Sequence, residues 1–158
     1  MAVTEFDNDS TLERILAEHA GMEGPLLPIL HAVQDAVGHI SAEHVARIAK
    51  ALNLSRAEVH GVVSFYHYFR QQEPGRHVVH VCRAEACQAM RCEATEQHAK
   101  SQLGVEYGGT SADGLFTLEP AYCIGNCAAG PTVMVDEKLY VRVTPERLAA
   151  ILAEWRTR

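Results

Sequence analysis

Two cysteine pairs constrain this chain more than any other feature. Cys82 and Cys87 stand in CRAEAC, Cys123 and Cys127 in CIGNC, with thirty-five residues between the inner two. Each pair lies where an extended apolar run gives way to a loop or a helix start, so a fold that joins the two runs collects four sulfurs in one place. Four thiolates gathered this way make a metal site. Structural zinc commonly takes CxxC knuckles, because a two-residue gap wraps one small tetrahedral ion. Gaps of four and three fit a [2Fe-2S] cluster better, since its ligand sets spread over two irons and include four-residue gaps. Zinc and a disulfide pair are the competing readings of the same spacing.

The remaining composition narrows the setting. Five cysteines, an odd number, argue for reduced thiols in the cytoplasm rather than a disulfide framework. The opening MAVTEFDNDS lacks the basic and apolar regions of a signal peptide, and no apolar run approaches the roughly 20 residues a bilayer needs. A net charge of −6 disfavours nucleic acid and anionic membranes as partners. With 47% apolar and 22% charged residues, a chain of 158 residues holds a small helical unit joined to a compact α/β unit.

The first half reads as short helices. Leu12, Ile15 and Leu16 follow a helical stripe behind a cap expected at Asp9 or Ser10. Leu26, Leu30, Val33 and Val37 make a second stripe after Pro25, stopped near Gly38. Ser41 caps a third helix with the face Val45, Ile48, Ala49 and Leu52, closed near Asn53. Ser55 and Glu58 form a capping-box pattern before Val59, Val62, Val63 and Tyr66. QQEPG, residues 71–75, punctuates the chain. It sets the expected domains at 1–72, a small helical bundle, and 76–158, an α/β domain.

In the second domain RHVVHV reads as a strand ending at Cys82, and AEACQAMRCEATEQHAKSQ as one helix ended by Gly104. LFTLEP is a strand running toward Cys123. TVMV and LYVRV make a hairpin, and Thr144 with Pro145 opens a last helix with the face Leu148, Ile151, Leu152 and Trp155. Behind the helical half this order, β, α, β, β, β, α, makes an α+β chain.

Around the sulfurs, Cys87 at a helix start is expected to be favoured as thiolate by the positive end of the helix dipole. Gly125 is expected to leave room where side chains would crowd the sulfurs, and Gly130 is either an ordinary loop glycine or part of the site. On a continuous helix Cys92 is rotated roughly 140° from Cys87 and points away as a small buried apolar side chain. His77 and His80 precede Cys82 but are read as packing residues, and Glu85 and Glu119 as solvated carboxylates. SFYHYFR, residues 64–70, is read as packing between the two halves, with a partner surface as the alternative.

The C-x4-C and C-x3-C pairs, together with ALNLSRAEVHGVVSFYHYF upstream, resemble the thioredoxin-like [2Fe-2S] ferredoxin family, which includes the 24-kDa subunit of respiratory complex I. The element order approximates the thioredoxin-like sandwich that this resemblance implies. CRAEACQ, LLPILHAVQDAVGHI and FRQQEPGRHVVHVCRAEACQ are most similar to the gamma-subunit branch of soluble NAD-dependent formate dehydrogenases. The resemblance implies one [2Fe-2S] cluster, with Cys82 and Cys87 on one iron and Cys123 and Cys127 on the other. It implies an electron-transfer subunit with no activity alone, docked on a flavoprotein subunit that carries FMN and binds NAD, and through it linked to a formate-oxidising subunit with a molybdenum or tungsten cofactor. Complex I and the diaphorase module of NAD-reducing hydrogenases carry similar subunits.

The chain has no G-x-G-x-x-G and no G-x-S-x-G, so the residues offer no dinucleotide fingerprint and no nucleophile elbow. Two readings of another class stand beside the electron carrier. One is a zinc-stabilised interaction module. The other is a thiol redox protein, against which the missing CxxC weighs.

Overall fold

The computed structural model describes residues 5–157. The chain divides into two compact units, Met1–Glu73 and Pro74–Arg158. Among the described residues no helix is long and apolar enough to cross a membrane.

The first unit contains α1 (Glu5–Glu18), α2 (Leu26–Val37), α3 (Ala42–Ala51) and α4 (Arg56–Phe65). No one of them is long enough to be stable alone, so their apolar stripes meet in one core built on Leu12, Ile15, Leu30, Val33, Ile48 and Val59. The ends of α2 to α4 follow local chemistry. Gly38 closes α2 in the left-handed region, and Ser41 and Ser55 each accept from the backbone N–H three residues on, within complete capping boxes. The first helix departs from expectation: it runs from Glu5 straight through Asp9 and Ser10, neither of which caps it. Its acidic opening suits the positive end of a helix, so the chain has no reason to delay the start.

The aromatic run splits. Phe69 is buried in the helical core, whereas Phe65, Tyr66 and Tyr68 are exposed. The buried Gln34 fixes the run's course, donating to the Tyr68 carbonyl at 2.7 Å and accepting from the Arg70 N–H at 2.7 Å.

The second unit is a four-stranded sheet in the order β2-β1-β3-β4, formed by β1 (His77–Cys82), β2 (Phe116–Ala121), β3 (Val133–Val135) and β4 (Lys138–Tyr140). β1 and β2 are parallel, and the other two pairings are antiparallel. Helices α5 (Glu85–Ala89) and α6 (Cys92–Leu103) link β1 to β2, and α7 (Pro145–Arg156) follows β4. The core joins Val79, Val81, Phe116, Leu118, Val133 and Leu148.

Two expected elements are shorter here. The single helix after Cys82 is broken: Arg91 takes a left-handed conformation with φ 61° between α5 and α6. Met90 and Arg91 bond back three residues, to Cys87 and Gln88, so α5 tightens and stops. The restart buries Cys92, which a continuous helix would have turned elsewhere. The strand expected over LYVRV ends at Tyr140, because Arg142 turns the chain with φ 51°. Arg142 and Val143 then donate to the carbonyls of Ala129 and Pro131, tying down the loop beyond the second cysteine pair.

Candidate metal centre

Parallel pairing puts the two cysteine loops at one end of the sheet. Cys82 is the last residue of β1 and stands in register with Ala121, the last residue of β2, two positions before Cys123. The Cys82 N–H donates to the Thr132 carbonyl, and the Arg83 N–H to the Ala121 carbonyl. The end of β1 is thereby held between both segments that flank the second pair.

Cys87 lies in the middle of the short α5 and is buried, as is Cys82. The two thiols pack in one buried cluster, and the Thr132 backbone works against the rise of the Cys87 thiol. Burial comes first in pushing the Cys87 thiol up, with the Cys82 thiol next. Cys87 lies in the first turn of α5, as expected, but the helix is only five residues long and burial outweighs its effect on the free thiol. A metal ion binding here displaces the proton.

Cys123 and Cys127 are exposed, with their sulfurs 3.8 Å apart. Two thiolates on one tetrahedral metal with bonds of about 2.3 Å also stand about 3.8 Å apart. Their mutual hydrogen bond is the main cause that raises the Cys127 thiol. Cys123 holds φ 128°, a conformation that L side chains rarely adopt, and Gly125 has φ 94°. A Cβ on Gly125 would meet nothing within 4 Å, so glycine is needed there for its backbone angle and not, as expected, to spare the sulfurs from crowding. Gly130 has the opposite reason. A Cβ there would come within 3.0 Å of Met90 Sδ and 3.3 Å of Cys87 Sγ, so this is where the second loop closes onto the first pair.

Cys92 is buried with Cys82 and Cys87 in one small cluster that Ala84 and Ile124 flank. The rotation expected from a continuous helix does not apply across the break at Arg91. Burial, then the Glu96 carboxylate, raises the Cys92 thiol. His77 is spent at the far end of β1, its Nδ1 2.8 Å from Asp136 Oδ2. Glu85 is exposed and Glu119 half-buried.

Among the described residues no group of three or more His, Cys, Asp or Glu is arranged to hold a metal ion. The sulfurs of Cys82 with Cys87, and of Cys123 with Cys127, stand as two pairs, a donor set that fits a group needing two thiolates at each of two irons. Met90, Thr132 and Gly130 complete the surroundings. Of these only the Gly130-Pro131 doublet left a trace in the sequence, as a turn.

A family model described as thioredoxin-like [2Fe-2S] ferredoxin matches residues 12–156. The chain is 36% identical over 133 residues to the NADP-reducing hydrogenase subunit HndA of Solidesulfovibrio fructosivorans, covering 84% of this chain and 78% of that protein. It is 32% identical over 158 residues to an NADH-quinone oxidoreductase subunit of Escherichia coli, covering 97% and 95%. The fold is similar to a chain of an NAD+-reducing [NiFe]-hydrogenase in its H2-reduced state, with a TM-score of 0.70 at 22% identity. That likeness covers 85% of this chain and 22% of the hydrogenase chain.

Proposed function

This chain belongs to the thioredoxin-like [2Fe-2S] ferredoxin family, and from that premise we propose that it is the electron-transfer subunit of a cytoplasmic, NAD-linked oxidoreductase complex, with one [2Fe-2S] cluster on Cys82, Cys87, Cys123 and Cys127. The observation that carries the proposal is the pairing of the four sulfurs at one end of β1 and β2, within a family match that spans both units. Cys82 and Cys87 hold one iron, Cys123 and Cys127 the other. When bound, the cluster accepts and returns one electron at a time, at a low potential that all-thiolate ligation favours.

The chain's own residues bind and orient. The Thr132 carbonyl accepts from the Cys82 N–H, the packing of Cys87 against Gly130 keeps water from the first pair, and the exposed second pair leaves one side of the site open to a partner. The partner is a flavoprotein subunit carrying FMN and NAD, and the chain alone turns over no substrate. Residues 1–72 form the helical domain and 76–158 the cluster domain.

The parent complex has two supported readings. CRAEACQ and its neighbours favour a formate dehydrogenase, whose formate-oxidising subunit holds molybdenum or tungsten. Identity to a hydrogenase subunit and to an NADH-quinone oxidoreductase subunit favours a hydrogenase diaphorase module or complex I at least as well.

Metal analysis and electron paramagnetic resonance on the full chain, purified without oxygen and reduced with dithionite, test the cluster. Two irons per chain and a half-spin signal are expected; zinc and no signal would make the chain an interaction module. Co-purification from the native host, followed by assay of NAD reduction with formate and with hydrogen, separates the parents.

A further inference from the structure

Beside the buried sulfurs a cleft of about 850 Å³ is lined by Arg83, Gln88, Arg91, Cys92, Glu96 and Lys100 among others. Arg83 follows Cys82 directly, and its Nε lies 3.6 Å from Glu96 Oε2. Glu96 is one turn beyond Cys92 on α6, on the same helix face, and Cys92 packs on Cys82 and Cys87. The ion pair therefore brackets the residue that touches the first cysteine pair. Glu96 also pairs with Lys100, whose Nζ lies 3.2 Å from Glu96 Oε1 and 2.9 Å from Glu106 Oε2. The Tyr107 ring supports both cations, 5.5 Å from the Arg83 guanidinium carbon and 4.7 Å from Lys100 Nζ. The Glu96 side chain is only 12% exposed against 39% for Arg83, so the carboxylate is the less screened of the two charges.

We infer that the Arg83–Glu96 pair sets the reduction potential of the cluster, with Arg83 favouring the extra electron and Glu96 acting as a positioning residue that holds Arg83 and masks its charge. The inference rests on the proposed cluster. A cluster with four thiolates is negative in both redox states, so a fixed cation nearby favours reduction and a fixed anion opposes it. Arginine keeps its charge at every accessible pH. No proton moves in this scheme; the only species transferred is the electron that the flavoprotein or dithionite supplies.

The test is a redox titration of the full chain, followed by electron paramagnetic resonance, with iron content measured on each sample. Glu96→Gln is expected to raise the potential and Arg83→Gln to lower it. Each moves the reduction equilibrium about threefold to tenfold, tenfold being about 59 mV for one electron. Arg83→Lys is expected to stay within about threefold of the parent chain. Both shifts shrink at high salt. A purely structural role for the pair predicts lower melting temperatures with no opposite movement of the potentials. Shifts of the same sign, or no shift beyond threefold, overturn the inference while the cluster stands. An unmodified chain without iron overturns the cluster itself. If Glu96→Gln fails to retain iron, the downward shift in Arg83→Gln, a half-exposed position, decides alone.

Discussion

In the helical unit the left-handed positions that close helices fall on residues that suit them, Gly38 after α2 and Asn53 after α3. In the second unit Arg91, Cys123 and Arg142 hold positive φ without the glycine or short polar side chain that suits it, whereas Asp136 does so with its carboxylate bonded to the Val78 N–H and to His77. Such positions cost about 1–3 kcal/mol each and persist only where the surroundings determine them. One of the three unsuited positions, Cys123, is a proposed ligand. Arg91 separates Cys87 from Cys92, and Arg142 ties the loop after Cys127. The contrast teaches that the first unit closes its helices with residues suited to the turn, whereas the second holds unsuited residues in strained conformations beside the sulfurs.

The largest effect that would break the contrast concerns the sulfurs. Cys127→Ala is expected to abolish the cluster absorbance, and Cys92→Ala to keep two irons despite its burial beside Cys82 and Cys87. Loss of iron in a folded Cys92→Ala protein would remove the present ligand assignment.

Next in size are the two cores. Phe116→Ala should cost about 3–5 kcal/mol and Leu30→Ala about 2–5 kcal/mol, both side chains being fully buried. Calorimetry is expected to show each variant lowering a different transition. A single transition lowered by both would mean that the units unfold as one.

Two glycines then sharpen the comparison with opposite signs. Gly130→Ala forces a methyl against Met90 Sδ and Cys87 Sγ and should destabilise the second unit by about 1–3 kcal/mol. Gly61→Ala, on the exposed side of α4 with nothing within 4 Å, should stabilise the first by about 0.5–1 kcal/mol. Chemical denaturation of the two variants reads both changes.

The smallest effect lies at the start of α4. Ser55→Ala should cost about 1 kcal/mol. The Ser55 backbone N–H and then its hydroxyl hold the Glu58 carboxyl below its ordinary value of 4.5. That contribution is present above the ordinary value and is lost as pH falls through the lowered one. The melting temperature of the helical unit should therefore decline on acidification, and less steeply in Ser55→Ala.

Much of this is legible in the chain. Helices α2 to α4, the stops of α2 and α3, the Ser41 cap and the Ser55–Glu58 capping box follow from side chains acting on their own backbone, within four residues; the reciprocal bond from His44 at the start of α3 does not. The two cysteine pairs are legible too, because ligand chemistry restricts residue type and spacing. The break at Arg91 is not legible: AEACQAMRCEATEQHAKSQ is rich in helix formers, and nothing in it marks the left-handed Arg91 or the burial of Cys92 beside Cys82 of another element. The early end of β4 depends likewise on carbonyls of Ala129 and Pro131, remote in sequence. Gly125 is visible in the motif without its reason, since a spacing shows that a glycine is present and not the angle it adopts.

The parallel register of β1 and β2 has a consequence for how such chains are recognised. Because Cys82 sits opposite Ala121, the separation of the two pairs is a property of adjacent strand ends, and the thirty-five residues between Cys87 and Cys123 are a detour that begins and ends at one end of the sheet. A change of length in the loop between α6 and β2, residues 104–115, would alter the detour without moving its endpoints. The short gaps within each pair are set by the ligands themselves, whereas the long interval is set by the helix and strand it carries.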